Sequence, residues 1–194
     1  VTNNRFASVQ LTLLSVIVAL VLENLLNQVT GGTANTPLMW LQAALIAITV
    51  ITVWSGFALI LTVSDRQPAP VDFICPFGLL VSLTLAAGQL GAESLLPYFV
   101  FIAASSLFAI WALNAERIHV QTKEDGRSEG IRKAVILQCI DAALAMAASA
   151  VLLLTTPPLA LALIIICLCI AIQIIAAVGT MQGWRFVAFS EESG

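Results

Sequence analysis

Six apolar stretches separated by short polar breaks take up most of this chain, at residues 6–28, 38–64, 73–90, 97–114, 131–154 and 157–184. A bilayer core about 30 Å thick takes roughly 20 apolar residues per helical crossing, so each stretch predicts one span. The expected fold is therefore all-α, a polytopic integral membrane protein with a single six-helix transmembrane domain over 1–194. Composition agrees with this reading. The chain is 60% hydrophobic and 10% charged, against about 25% charged in a soluble domain. It has too few polar side chains to cover a water-facing globule. The first stretch follows Arg5 as the core of a signal peptide does. It is longer than such a core, and Glu23, Asn24, Asn27 and Gln28 make a poor approach to a small-residue cleavage site, so it is expected to be a retained span.

The breaks carry helix signals. Thr36 is placed to cap the second span, with Pro37 at its first position, where a missing N–H costs nothing. Asp65 to Pro70 cannot hold a helix, and Asp72 is expected to cap the third span, with Pro76 in its opening turns. Tyr98 and Trp111 stand near the two ends of the fourth span, as amphipathic rings at headgroup level do. Trp54, mid-helix in the second, is expected to face a neighbouring helix. A charged connector runs from Glu116 to Lys133, Thr155-Thr156-Pro157-Pro158 turns the chain into the sixth span, and the last ten residues are expected to be loose.

Charge tests the count. Arg5 precedes the first span, Arg66 follows the second, Arg117, Lys123, Arg127, Arg132 and Lys133 lie between the fourth and fifth, and Arg185 follows the sixth. In a six-span topology all eight basic residues fall on one side. That is the positive-inside bias without exception, and it predicts cytoplasmic N and C termini in a plasma or bacterial inner membrane. A single miscounted span would move every later basic residue to the other side.

Ionisable residues inside spans are the usual mark of function in a membrane, since an aspartate at the helix centre costs about 2.5–3.5 kcal/mol even on insertion scales. Two qualify. Glu23 lies roughly 25 Å along the first helix and Asp141 roughly 12 Å into the fifth, a separation in depth that argues against an acid/base pair. On the fifth span Gln138, Asp141, Ala145 and Ser149 share a face, and Gln173 of the sixth returns to a similar depth. They predict a hydrogen-bonded cluster, with the Asp141 carboxyl carrying its proton, that serves either as glue between helices or as an ion or proton site. The first span has a polar stripe, Ser8, Thr12, Ser15, Ala19, Glu23 and Asn27, at helical spacing. Such a stripe suits a water-filled path preferring cations, with Gln89 and Glu93 at its outer mouth, or equally a close helix–helix contact. Alanines 142 to 150 give the fifth span a smooth face for packing, within the chain or against a second copy.

Several chemistries lack their parts. His119 is the only histidine, and it lies beside the charged connector, so no intramembrane histidine pair exists for haem or zinc. There is no Walker loop, no His-Glu-x-x-His and no Gly-x-Ser-x-Gly, which argues against an enzyme. Cys75, Cys139, Cys167 and Cys169 all fall inside spans and read as small apolar side chains, the last two on different helix faces. No catalytic, metal or cofactor residue is expected, and no nucleic-acid partner. The leading expectation is a small conduit or transport protein for a cation or small solute, oligomeric, with its path along the first span. The alternative is a non-catalytic accessory subunit of a larger membrane complex.

Overall fold

The computed structural model describes residues 2–31, 36–63, 70–92, 94–121, 127–154 and 159–191, all within or beside helices. These are α1 (Thr2–Gly31), α2 (Pro37–Val63), α3 (Val71–Ala87), α4 (Leu96–Gln121), α5 (Arg127–Leu154) and α6 (Leu159–Glu191). All but α3 contain a stretch long and apolar enough to cross a membrane; α3, with 17 residues, is the short one. Large apolar side chains such as Leu13, Leu20, Ile51, Leu107, Ile164 and Ile175 point away from the protein, which is stable only where the surroundings are hydrocarbon. The chain is a polytopic α-helical membrane protein.

The helices close into a ring. Each packs on two neighbours, in the order α1, α3, α4, α5, α6, α2 and back to α1, and α2 also touches α3 across the middle. Side-chain hydrogen bonds fix the directions. Trp54 Nε1 donates to Ser15 Oγ at 3.1 Å. Ser15 stands 16 residues before Gly31 and Trp54 17 after Pro37, so α1 and α2 are antiparallel. Gln10 and Asn24 of α1 donate to the Asp72 and Thr84 carbonyls of α3 in the same order along both helices, so these two run parallel. Tyr98 Oη donates to the Gln42 carbonyl at 3.0 Å, near the starts of both α4 and α2. Five residues join α4 to α5 and four join α5 to α6, so each pair doubles back, with Ser106 and Gln173 meeting Asp141 near mid-helix. Direction therefore alternates along the chain. Helix α3 accompanies α1 from the level of Gln10 to that of Asn24, about 21 Å of rise, and the outer ends of α1 and α6 lie on the same face of the ring.

Local chemistry explains how the elements begin and end. The Met39 amide donates to Thr36 Oγ1, so Thr36 caps α2 and Pro37 opens it as expected. At α3 the expectation fails. Pro70 occupies the cap position without a side-chain cap bond, and Asp72 sits within the first turn. Pro76 is inside the helix and has no N–H to give the Asp72 carbonyl four residues back; Gln10 of α1 donates to that oxygen instead. Gly91, with φ 72°, takes a left-handed conformation between α3 and α4 that a side chain would disfavour. The connector between α4 and α5 is shorter than expected, because helical backbone continues to Gln121 and resumes at Arg127. Beyond the hydrocarbon, Ala115, Glu116 and Arg117 are strong helix formers in their own right. Helix α6 likewise continues to Glu191. The turn at 32–35, the 64–69 connection, Glu93, the 155–158 turn and the side chains of all eight basic residues lie outside the described residues.

The core is apolar where α2, α3 and α4 meet, around Leu45, Ile46, Val50, Leu80, Leu83 and Phe99. Gly78 of α3 lets α4 come close. A Cβ built there would lie 2.5 Å from the Phe108 ring.

Candidate functional site

A cluster of buried polar residues lies where α4, α5 and α6 meet. Asp141 of α5 is 1% exposed. Its Oδ2 lies 2.7 Å from Ser106 Oγ of α4 and accepts from Gln173 Nε2 of α6 at 3.1 Å. Gln173 is 1% exposed. The other oxygens of the pair, Asp141 Oδ1 and Gln173 Oε1, are buried with no hydrogen-bond partner. Tyr98 of α4 and Cys169 of α6, both fully buried, are the titratable groups that face the carboxyl, and the Cys169 thiol is a further hydrogen-bond partner for it.

Asp141 stands 13 residues before the end of α5, and Gln173 stands 14 after the start of α6. Both are therefore about 20 Å from those helix ends and roughly 8–9 Å from the opposite ends of the apolar stretches Val135–Leu154 and Ala160–Val178. An anion there is expensive unless it is paired or neutralised, and the apolar stretches Leu96–Ala115, Val135–Leu154 and Ala160–Val178 hold no Lys or Arg to pair it. The serine has two acceptors within reach. Ser106 Oγ also lies 3.2 Å from the Ile102 carbonyl, yet a hydroxyl has one proton to donate. With the carboxylate ionised, Ser106 donates to Asp141. With the carboxyl protonated, Asp141 donates to Ser106 and the serine proton turns to Ile102. The Ile102 carbonyl also accepts from Ser105 Oγ at 2.7 Å, so the two serines share it.

Gln138 is buried one turn below Asp141, and Ala145 and Ser149 continue the inward face, with Ser149 Oγ donating to the Ala145 carbonyl. The structure thus brings Gln173 to Asp141 and leaves Gln138 at the edge of the cluster. Ala142, Ala145 and Ala148 face inward, while Ala143 and Ala147 face out.

The α1 stripe faces the opposite way. Ser8, Thr12, Ala19, Glu23 and Asn27 are exposed on the outside of the ring, and Ser15 is half-buried. Thr12 Oγ1 donates to the Ser8 carbonyl and Ser15 Oγ to the Leu11 carbonyl, each one turn back. Hydroxyls satisfied by their own helix tolerate lipid as well as water. The polar demand of this face is therefore carried by Glu23 and Asn27, near the C-terminal end of α1. Gln89 is half-buried beyond the end of α3, far in sequence and level from Asp141.

Other expectations need revision. Tyr98 is not a headgroup anchor: it is fully buried and bonded to α2, because its hydroxyl finds a backbone acceptor there. Trp111 is half exposed, and Trp54 keeps its ring partly outside while its indole N–H bonds to α1. Cys139 and Cys167 are exposed, whereas Cys75 and Cys169 are buried, and all four are free thiols. Sequence reasoning passed over Gln10, Gln42 and Ser106. The first two are lone glutamines in apolar helices, a signal as strong as Gln173; Ser106 sits in a Ser-Ser pair with nothing to mark it.

Fold and site together define a polytopic helical membrane protein with a buried acid among three of its helices. No protein-family model, curated protein or solved structure matches the chain.

Proposed function

We propose that the protein moves a small cation across a membrane, with Asp141 as the group that receives it. The observation that carries this reading is an acid 1% exposed inside an apolar helix stretch, bonded only to neutral donors and keeping one oxygen unpartnered. Glue between helices is served as well by a neutral amide, which makes the same contacts without the cost of a carboxylate. The eight basic residues support a membrane orientation with both ends in the cytoplasm, in a plasma or bacterial inner membrane. A path along the α1 stripe needs a second wall from outside the chain, since that stripe faces outward; in this form the protein works as an oligomer. Purified protein in liposomes under an imposed cation gradient tests the proposal. Wild type dissipates the gradient, and Asp141→Asn, which keeps the shape and both hydrogen bonds, falls to background with an unchanged elution profile. Wild-type flux in that variant overturns the reading.

The second reading is an accessory subunit, and one observation favours it: Glu23 and Asn27 stand on the outside of α1, where another membrane protein would satisfy them. Gentle solubilisation separates the two. A homo-oligomer supports the conduit, and stoichiometric foreign subunits support the accessory role.

A further inference from the structure

We propose that the Asp141–Gln173–Ser106 cluster is a binding site for a dehydrated monovalent cation of sodium's class, and that sodium and a proton compete for it one for one. This rests on the transport reading and names what is carried.

The argument starts from the atoms without partners. Asp141 Oδ1 and Gln173 Oε1 are both acceptors, both on residues 1% exposed, and neither has a donor. Gln173 Nε2 is held on Asp141 Oδ2, so its amide oxygen is tied to the neighbourhood of the same carboxylate. Ser106 adds a third kind of oxygen. When its proton goes to the Ile102 carbonyl, its lone pairs face Asp141. Carboxylate, amide and hydroxyl oxygens from three helices are what a hard cation takes in place of its water shell.

Charge selects the valence. One carboxylate balances one positive charge, and among the described residues no group of three or more His, Cys, Asp and Glu stands together. A divalent ion would leave an uncompensated charge in a low-dielectric interior. A proton or one sodium ion each gives a neutral site, so the two are alternatives. As sodium enters, the carboxyl O–H breaks, the proton leaves to water, and the total charge is unchanged. The facing titratable groups, Tyr98 on α4 and Cys169 on α6, are neutral in both states and add no charge to the exchange.

Infrared difference spectroscopy on the whole reconstituted protein tests this, with choline chloride exchanged for sodium chloride at constant ionic strength. In choline the spectrum is expected to carry the carbonyl band of a protonated buried carboxyl, and sodium removes it. Raising the pH lowers the sodium concentration needed, tenfold per pH unit while the site stays protonated. Asp141→Asn abolishes the sodium-sensitive band. Gln173→Leu keeps it but needs about tenfold more sodium, as loss of one ligand to a charged group predicts. A band that sodium leaves untouched, a site already ionised in choline, or a sodium response that persists in Asp141→Asn overturns the proposal. Asp141-dependent proton flux together with a sodium-insensitive band would remove sodium and leave the transport reading. A sodium-sensitive band without flux would do the reverse.

Discussion

Asp141 and Glu23 are both acids in apolar helices, yet the fold treats them in opposite ways. Asp141 is enclosed by α4, α5 and α6 and bonded across two helix boundaries. Glu23 stands on the outside of α1, and the hydroxyls preceding it on its face bond back to their own helix. The difference lies in who satisfies the polar group. Inside, satisfaction requires another helix, so each polar residue fixes a contact, and an oxygen that no helix reaches remains available to a ligand. Outside, the helix satisfies the Thr12 and Ser15 hydroxyls itself, and the face engages a neighbour only where Ser15 accepts from Trp54 and, at its end, offers Glu23 and Asn27. A polar stripe is therefore weak evidence for water, whereas two unpartnered buried oxygens on neighbouring side chains, Asp141 Oδ1 and Gln173 Oε1, call for a partner between them.

This contrast can be broken by substitution. The largest stability effect is expected at Gln10, whose amide replaces the N–H that Pro76 cannot give to the Asp72 carbonyl. Gln10→Leu should lower stability by about 1–3 kcal/mol, read by denaturant unfolding in mixed micelles. Adding Pro76→Ala should recover much of that loss, because the new N–H reaches the same oxygen. If Pro76→Ala worsens the Gln10→Leu protein, the contact between α1 and α3 has another origin. A smaller effect belongs to Tyr98→Phe. The Gln42 carbonyl loses one donor, and the expected cost is about 0.5–1.5 kcal/mol; no change in melting temperature would place that hydroxyl among incidental contacts. The smallest effect is at Thr12→Val on the outer face. Its hydroxyl bonds only within α1, so stability should stay within about 0.5 kcal/mol and flux should be unchanged. A large drop in flux there would move the path to α1.

The spans were legible in the sequence because hydropathy marks each apolar stretch, and the alternation of six consecutive helices reappears in the directions set by Ser15, Gln10 and Tyr98 and by the short connections flanking α5. The nearness in depth of Asp141 and Gln173 was legible too, since both could be counted from helix ends. What periodicity could not supply is which way a face looks. The spacing of Ser8, Thr12, Ser15 and Glu23 groups them on one side of α1 and is silent on whether that side meets helices or lipid, a matter settled by the larger apolar surface that Leu14, Val21 and Leu25 bury. Gln10 was unreadable for a related reason. Its partner is a carbonyl exposed by a proline 66 positions later, and no local pattern links the two. Tyr98 illustrates a third limit: position near a helix end suggested an anchor, but an acceptor on α2 drew the ring inside.

Flux through liposomes containing wild type, Asp141→Asn or Glu23→Gln, prepared side by side at matched protein density, tests the assignment of the working acid most directly. Wild type and Glu23→Gln are expected to dissipate the gradient at similar rates, while Asp141→Asn stays at the level of empty vesicles. Full flux in Asp141→Asn with its loss in Glu23→Gln would place the working acid on the outer face of α1 and contradict the assignment.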